Sequence, residues 1–302
     1  MLIQRSINST ALGRYKSLLL ILLMLSLTAC AAKVSYRFLD WIIAWSVDDY
    51  VDWNSQQQQQ FDQVVSDKLA WHQSTQLKRY SEFLVQLKQD FQQPLSNELL
   101  MERMQEAEQL WVVTLKEVAP EAVNLLMTLN DEQVDDVSEN LTKNIQKMEK
   151  KYVVGSPKKL ERRRIKEVEK TISRFIGKLD SNQKEIVALW SSRLENTREP
   201  WIQSRKEWAS AFTQVLRERQ STRFPGSLYT LLVSPRSIWS DKYKSLVDIN
   251  IGNGIDLIIS LQASLTNKQK KQLNGNIDDW IEAFDELSSS AEGVIGERAR
   301  LE

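Results

Sequence analysis

Cysteine, histidine, glycine and proline are all scarce in this sequence. One Cys and one His allow no internal disulfide, and they do not supply the repeated ligands of a zinc site. Nine Gly and six Pro in 302 residues leave long stretches without helix breakers. Forty basic residues balance forty acidic ones, unlike the basic excess of nucleic-acid-binding proteins. We therefore predict no metal site, no cofactor and no nucleic-acid partner.

The sequence is rich in Leu, Gln, Glu and Lys, and it has no long alternation of apolar and polar residues. These residue types favour helices, and apolar positions recur every three or four residues. We predict an all-α protein, built as a multi-helix and mostly antiparallel bundle of about nine helices.

The N-terminus has the three parts of a secretory signal peptide. Residues 1–17 contain three basic residues and no acid, and an apolar run follows from Leu18 to Leu27. This run is too short to span a bilayer, which requires about 20 residues. Small residues then lead to Cys30. We predict that residues 1–29 are a signal peptide that is cleaved.

Leu27-Thr28-Ala29-Cys30 resembles the lipobox of bacterial lipoproteins. That resemblance implies a diacylglycerol on the thiol of Cys30, acylation of the new amine, with palmitate among the expected modifications, and a lipidated tether of residues 30–37. Several acyl chains anchor a protein firmly, whereas one chain alone binds only marginally. Ala31 stands where enterobacterial inner-membrane lipoproteins have Asp, which implies the outer membrane, facing the periplasm. An unmodified thiol and an uncleaved membrane anchor are the alternatives.

The mature chain is predicted to fold in two helical halves. Residues 38–151 form the N-terminal half and residues 158–288 the C-terminal half. The segment 152–157, with the sequence YVVGSP, is predicted to be a hinge because Gly and Pro together interrupt helices. The last helix is predicted to end at Leu287, with a mobile, small and polar tail at 289–302.

Two breaker positions lead to further predictions. Pro120 is predicted to end the helix that begins at Ser96, because proline lacks the backbone N–H that a helix interior uses. Gly252 and Gly254 lie within a helical pattern and are predicted to let neighbouring helices approach closely.

The segment from Phe38 to Val51 is predicted to be a short helix, since its aromatic residues recur at helical spacing. It lies close to Cys30, so it either packs on the core or rests on the membrane surface. No basic residue occurs between Arg37 and Lys68, whereas surface helices use Lys and Arg to meet anionic headgroups. The composition therefore favours core packing.

Residues 143–170 hold eleven Lys and Arg against four Glu. The densest part is a candidate patch for an anionic ligand or partner, formed by Lys158, Lys159, Arg162, Arg163 and Arg164. Such a run suits anionic lipid, lipid A phosphates or cell-wall carboxylates. The alternative is a solvated helix face whose charge is balanced by acids of a neighbouring helix.

One five-residue pattern recurs at four helix starts. It consists of a large apolar residue, a capping residue, two free positions and Gln. The four segments are Trp53-Asn54-Ser55-Gln56-Gln57, Leu129-Asn130-Asp131-Glu132-Gln133, Leu179-Asp180-Ser181-Asn182-Gln183 and Leu265-Thr266-Asn267-Lys268-Gln269. Each is predicted to be a capping box. The pattern resembles the LTxxQ motif of small periplasmic helical chaperones and stress sensors, and the last segment is the full match.

A broader resemblance covers most of the mature chain. Its residues are the lipobox, the Tyr36–Tyr50 segment, Trp71-His72, Gly177-Lys178-Leu179 before Gln183, and the Trp201–Trp208 helix. Together they resemble an uncharacterised family of Gram-negative lipoproteins, known as a domain of unknown function. The resemblance implies an exported lipoprotein without an established activity, and beyond Cys30 no functional residue can be carried over.

These patterns predict a membrane-anchored envelope lipoprotein that is not an enzyme. It binds or adapts an envelope protein or a cell-wall component in the periplasm. A tethered holdase that resembles the LTxxQ proteins is one alternative, and an enzyme that cuts cell-wall sugars with an Asp/Glu pair is another. We find no catalytic motif and name no catalytic residue; His72, the only histidine, is a candidate for pairing with a carboxylate.

Overall fold

The computed structural model describes residues 36–298, and the side chains of residues 36–290. Within that range the secondary structure is entirely helical, which confirms the all-α prediction. The helices are α1 Leu39–Asp48, α2 Ser55–Asp90, α3 Asn97–Met127, α4 Asp131–Tyr152, α5 Pro157–Ile176, α6 Ser181–Arg193, α7 Arg198–Arg217, α8 Phe224–Val233, a 3-10 helix Pro235–Ile238, α9 Asp241–Ala263 and α10 Asn267–Arg298. The predicted signal peptide and Cys30 lie outside the described residues.

The four predicted capping boxes form at the starts of α2, α4, α6 and α10. At α4 the Gln133 N–H donates to Asn130 Oδ1 over 2.8 Å, and the Asn130 N–H donates to Gln133 Oε1 over 3.0 Å. Asn54 and Asp180 make the same reciprocal bonds, as does Thr266. Each box provides partners for backbone N–H groups that a helix start leaves unpaired.

The boxes are also joined in two pairs by their glutamine side chains. Gln57 and Gln133 each donate from Nε2 to the other's Oε1, over 3.2 and 2.7 Å. Gln183 and Gln269 do the same, with 2.9 Å for both bonds. All four glutamines are buried. One pair joins the starts of α2 and α4, and the other joins the starts of α6 and α10.

A second set of bonds makes the two pairs equivalent. In every case the glutamine Nε2 also donates to the backbone carbonyl two residues before its partner's N-cap. These bonds run from Gln57 to Thr128, from Gln133 to Asp52, from Gln183 to Ser264 and from Gln269 to Lys178, over 3.0, 2.7, 3.3 and 3.2 Å. The same unit is therefore built twice, once in each half of the chain.

The hydrophobic core does not follow the division into halves. One cluster joins α3 and α4 to α7 and α8, a second joins α3 and α4 to α7 and α9, and a third joins α2 and α3 to α10. The most extensive helix contact is between α2 and α10. Each of these clusters contains buried residues from both sides of the 152–157 segment, so the two halves share these parts of the hydrophobic core.

Three predictions about breakers and ends are wrong. Helix α3 continues through Pro120, because buried Ala119 and Val123 on either side hold it in the core. A Cβ added at Gly252 or Gly254 would meet no atom within 4 Å, so these glycines do not permit a close helix approach. Helix α10 extends to Arg298, since small residues are compatible with a helix that is already packed along α2.

The chain does break within the 152–157 segment. Helix α4 ends at Tyr152, Gly155 has a φ of 148°, and Pro157 is the first residue of α5, where its missing N–H is tolerated. Hinge motion at this break stays a prediction.

No helix of the described part of the chain is both long and apolar enough to cross a membrane.

Candidate partner-binding surface

The five basic residues singled out by the sequence are not equivalent on α5. Arg164 is half-buried, and it donates from Nε to Ser191 Oγ over 2.9 Å and from Nη2 to the Ser191 carbonyl over 2.8 Å. These bonds attach α5 to the last turns of α6. Arg164 therefore stabilises the contact between α5 and α6, and it is less exposed than the other four cations.

The other four cations, Lys158, Lys159, Arg162 and Arg163, are exposed. Arg163 donates to the Lys151 carbonyl over 3.1 Å, and its guanidinium carbon lies 5.6 Å from the centre of the Tyr152 ring. Among the residues that the structure describes, none of the four forms an ion pair with an acidic side chain. No direct ion pair with a neighbouring helix therefore balances these four charges, and balance at longer range stays an alternative.

The exposed cations continue along α5 beyond the segment that the sequence singled out. Lys166 and Lys170 are also exposed, and the positions 159, 163, 166 and 170 lie three or four residues apart, on one side of the helix. We call Lys158, Lys159, Arg162, Arg163, Lys166 and Lys170 the basic face of α5. Their 3–4 spacing was the sequence signal that identifies the last two members.

A polar groove lies between α4 and α7, with a volume of about 630 Å³. Its walls carry hydroxyl and amide side chains that include Ser138, Thr142, Gln146, Ser210, Thr213 and Gln214. Lys206 and Glu149, which also line it, form an ion pair at 3.1 Å. Such a lining can hydrogen-bond a polar ligand. No sequence pattern indicated the groove, because its two walls are far apart along the chain.

His72 is paired with two tyrosines rather than with a carboxylate. Its Nδ1 lies 3.0 Å from the Tyr36 hydroxyl and its Nε2 lies 3.2 Å from the Tyr80 hydroxyl. The Tyr36 hydroxyl donates to the Leu69 carbonyl over 3.3 Å. A neutral ring with its proton on Nδ1 fits these contacts, since Nδ1–H donates to Tyr36 and Nε2 accepts from Tyr80.

Burial sets the protonation state of this cluster. It lowers the pKa of His72 to about 4, because the charged imidazolium loses hydration without gaining a carboxylate partner. Burial also raises the pKa of Tyr36 and that of Tyr80. At neutral pH the cluster is therefore uncharged, and it holds Tyr36 firmly on α2.

Helix α1 has two different sides. Ile43, Ala44 and Val47 pack against a cluster of Phe61, Val65 and Leu125. The side chains of Phe38, Trp41 and Trp45 are on the solvent side, and the two tryptophan rings stack with their centres 6.3 Å apart. The predicted core packing of this helix is therefore confirmed for its aliphatic side, whereas Phe38, Trp41 and Trp45 face solvent because the aliphatic residues occupy the side that faces the core.

The residues that the structure describes contain no group of three or more His, Cys, Asp or Glu side chains close enough to hold a metal ion. The predicted lipid attachment site, Cys30, lies outside them.

Comparison with curated proteins and with solved structures gave no match. A family model described as "Family of unknown function (DUF6279)" matches residues 49–244, well over half of the chain. The matched range begins before α2, includes the basic face of α5 and ends early in α9. This confirms the predicted membership of an uncharacterised domain family. The chain belongs to DUF6279, a family of unknown function.

Proposed function

We propose that the protein is a lipid-anchored protein of a bacterial envelope, attached through Cys30, that binds an anionic envelope partner and carries out no chemistry. The partner is an acidic protein or an acidic cell-wall component, and the binding surface is the basic face of α5. The lipobox resemblance supports the anchor, and the outer membrane is the proposed address. The exposed cations without acidic partners are the observation that carries the binding proposal.

The physical argument is that unpaired charge gives long-range attraction. The six exposed cations of the basic face, against the three acids Glu161, Glu167 and Glu169 of the same helix, create a local positive potential that steers an oppositely charged partner to the surface. Exposed charges are screened by salt within about 8 Å at physiological ionic strength. The proposed binding should therefore be fast, reversible and weaker at high salt.

The capping glutamines support the fold rather than a second function. The LTxxQ resemblance depends on Gln57, Gln133, Gln183 and Gln269, and all four are buried in reciprocal amide bonds. A residue in that position is not available to a client protein. The experiment below therefore also tests whether the protein is a tethered holdase.

The test is crosslinking of the protein in living cells, followed by mass spectrometry of the attached molecules. The variant Lys158→Glu/Lys159→Glu/Arg162→Glu reverses three charges of the basic face. Glutamates near the start of α5 also suit the helix dipole, so the helix should remain stable. Each lost ion pair is worth about 0.5 kcal/mol, so the yield of the crosslinked partner should fall by roughly tenfold.

The matched control makes the same charge change at scattered sites. Lys116, Lys184 and Lys242 are exposed lysines on α3, α6 and α9, and Lys116→Glu/Lys184→Glu/Lys242→Glu should retain the partner. An equal loss in both variants would reduce the effect to net charge and contradict the proposal. Capture of many unrelated unfolded proteins by both variants would indicate a holdase instead.

A further inference from the structure

The exposed aromatic residues of α1 form a surface that the proposed partner binding does not use. Phe38 is 55% exposed, Trp41 64% and Trp45 53%. They lie at positions i, i+3 and i+7, so they share one side of the helix. The opposite side of α1 is fixed to α2 and α3 through Phe61, Val65 and Leu125, so this aromatic side faces away from the protein.

The position of Cys30 in the sequence limits how far the membrane can be from this part of the protein. Cys30 precedes Tyr36 by only six residues. Tyr36 is fixed on α2 by its bonds with His72 and Leu69, and α1 begins three residues later. Six extended residues reach at most roughly 20 Å. A bilayer that holds the lipid of Cys30 therefore lies within roughly 20 Å of Tyr36, which is three residues before α1.

The charges around α1 indicate which membrane chemistry fits. Tryptophan suits the headgroup region, because its ring is largely apolar while its N–H can stay hydrated, and phenylalanine adds apolar area at the boundary with the acyl chains. Asp40, Asp48 and Asp49 are exposed. Among the described residues, the one exposed cation beside them in the sequence is Arg37, directly before Phe38, so acids outnumber bases around α1. Asp48 and Asp49 lie at the far end of the helix from the tether. The aromatic contact is thus compatible with neutral headgroups and unfavourable with anionic ones.

We propose that Phe38, Trp41 and Trp45 lie in the headgroup region of the membrane that carries the lipid of Cys30. This contact, which rests on the proposed lipid anchor, fixes α1 against the bilayer. Because α1 is also fixed to α2 and α3, it sets the orientation of the whole helical bundle relative to the membrane. The protein is then held at two points, the acyl chains and an aromatic helix side, instead of turning freely on a tether.

The test uses the full lipidated protein, purified from membranes and reconstituted in phosphatidylcholine vesicles. An environment-sensitive thiol dye is attached to a Trp41→Cys variant. The labelling is specific for position 41, because the lipid occupies the thiol of the only natural cysteine. Acyl chains brominated near the headgroup should remove most of the dye's fluorescence. The control is Leu189→Cys, a residue of α6 that is 52% exposed and should be unaffected.

The outcomes separate this proposal from the anchor. A protein mass without the lipid increment would refute the anchor itself. A lipid on Cys30 together with equal quenching of the dye at positions 41 and 189 would overturn the membrane contact. Stronger quenching in phosphatidylglycerol vesicles than in phosphatidylcholine would overturn the neutral-headgroup assignment. If the dye becomes more shielded from solvent as the protein concentration rises, but bromine does not quench it, two protein molecules contact each other at this side. That result would also overturn the proposal.

Discussion

At the scale of single residues, His72 shows how a titratable group can serve the fold. The ring lies between the hydroxyls of Tyr36 and Tyr80, and it connects the end of the tether to α2. The sequence suggested a carboxylate partner, whereas the structure provides two neutral hydroxyls. The difference matters because a carboxylate would favour the imidazolium, but this site favours the neutral ring.

His72 should make the protein less stable as the pH falls. Its folded pKa is lowered to about 4 from an ordinary value of 6.5, so below pH 6.5 the unfolded chain binds the proton more readily. The stability that the neutral ring provides is complete above the unfolded pKa and decreases as the pH falls towards the folded pKa. Between about pH 7.5 and about pH 5 the free energy of unfolding should drop by about 2 kcal/mol from this group.

The measurement is urea unfolding of the wild type and of His72→Gln at both pH values. Glutamine can still donate and accept a hydrogen bond, but it does not titrate. The pH-dependent loss should therefore be about 2 kcal/mol smaller in the variant than in the wild type. The same loss in both proteins would show that carboxylates, and not His72, cause the pH dependence.

At the scale of helices, the capping boxes act between elements as well as within them. A capping box ordinarily stabilises the first turn of its own helix. Here the N3 glutamine also contacts the partner glutamine and the backbone that leads into the partner helix. The box thus determines where a helix begins and which other helix start lies beside it.

Gln133→Ala should cost about 3 kcal/mol of the free energy of unfolding. It removes the acceptor of the Asn130 N–H, a donor to the Asp52 carbonyl and the reciprocal bonds with the buried Gln57, and unpaired polar groups are costly when they are removed from water. Thermal or urea unfolding measures the change. Gln59→Ala, at an exposed glutamine of α2, should change stability by less than about 0.5 kcal/mol. A similar small effect of both substitutions would contradict the role of the pair.

At the scale of the whole molecule, the repeat and the core have different boundaries. The paired boxes occur once before and once after the 152–157 break, which suggests two equivalent halves. The main hydrophobic clusters nevertheless combine helices from both sides of the break. The paired capping boxes therefore divide the chain into two halves, whereas the main hydrophobic clusters connect those halves.

Cutting the chain at the break should leave the two fragments together. A protease site inserted between Val154 and Gly155 lies in an exposed connection, where insertions are best tolerated. After complete cleavage, judged on a denaturing gel, size-exclusion chromatography should give one peak at the position of the uncut protein. The same sample in strong denaturant should separate. Two peaks under native conditions would show that the halves are independent domains.

Local interactions made much of this protein predictable from its sequence. The helical content and the capping boxes at Asn54, Asn130, Asp180 and Thr266 depend on residues within one turn, so their patterns are visible in the sequence. The break at Gly155 and Pro157 follows from their backbone preferences. The 3–4 spacing of the exposed cations on α5 belongs to the same class. The family was also recognisable from such segments.

The tertiary structure decided whatever depends on contacts between distant residues. Pro120 lies within a helix because buried residues on both sides hold that helix in the core. Arg164 is not part of the exposed basic face because it hydrogen-bonds to Ser191. The pairing of Gln57 with Gln133, the neutral state of His72 and the outward side of Trp41 have the same origin. A side chain's burial and its partners depend on which helices meet, and sequence spacing alone does not specify that.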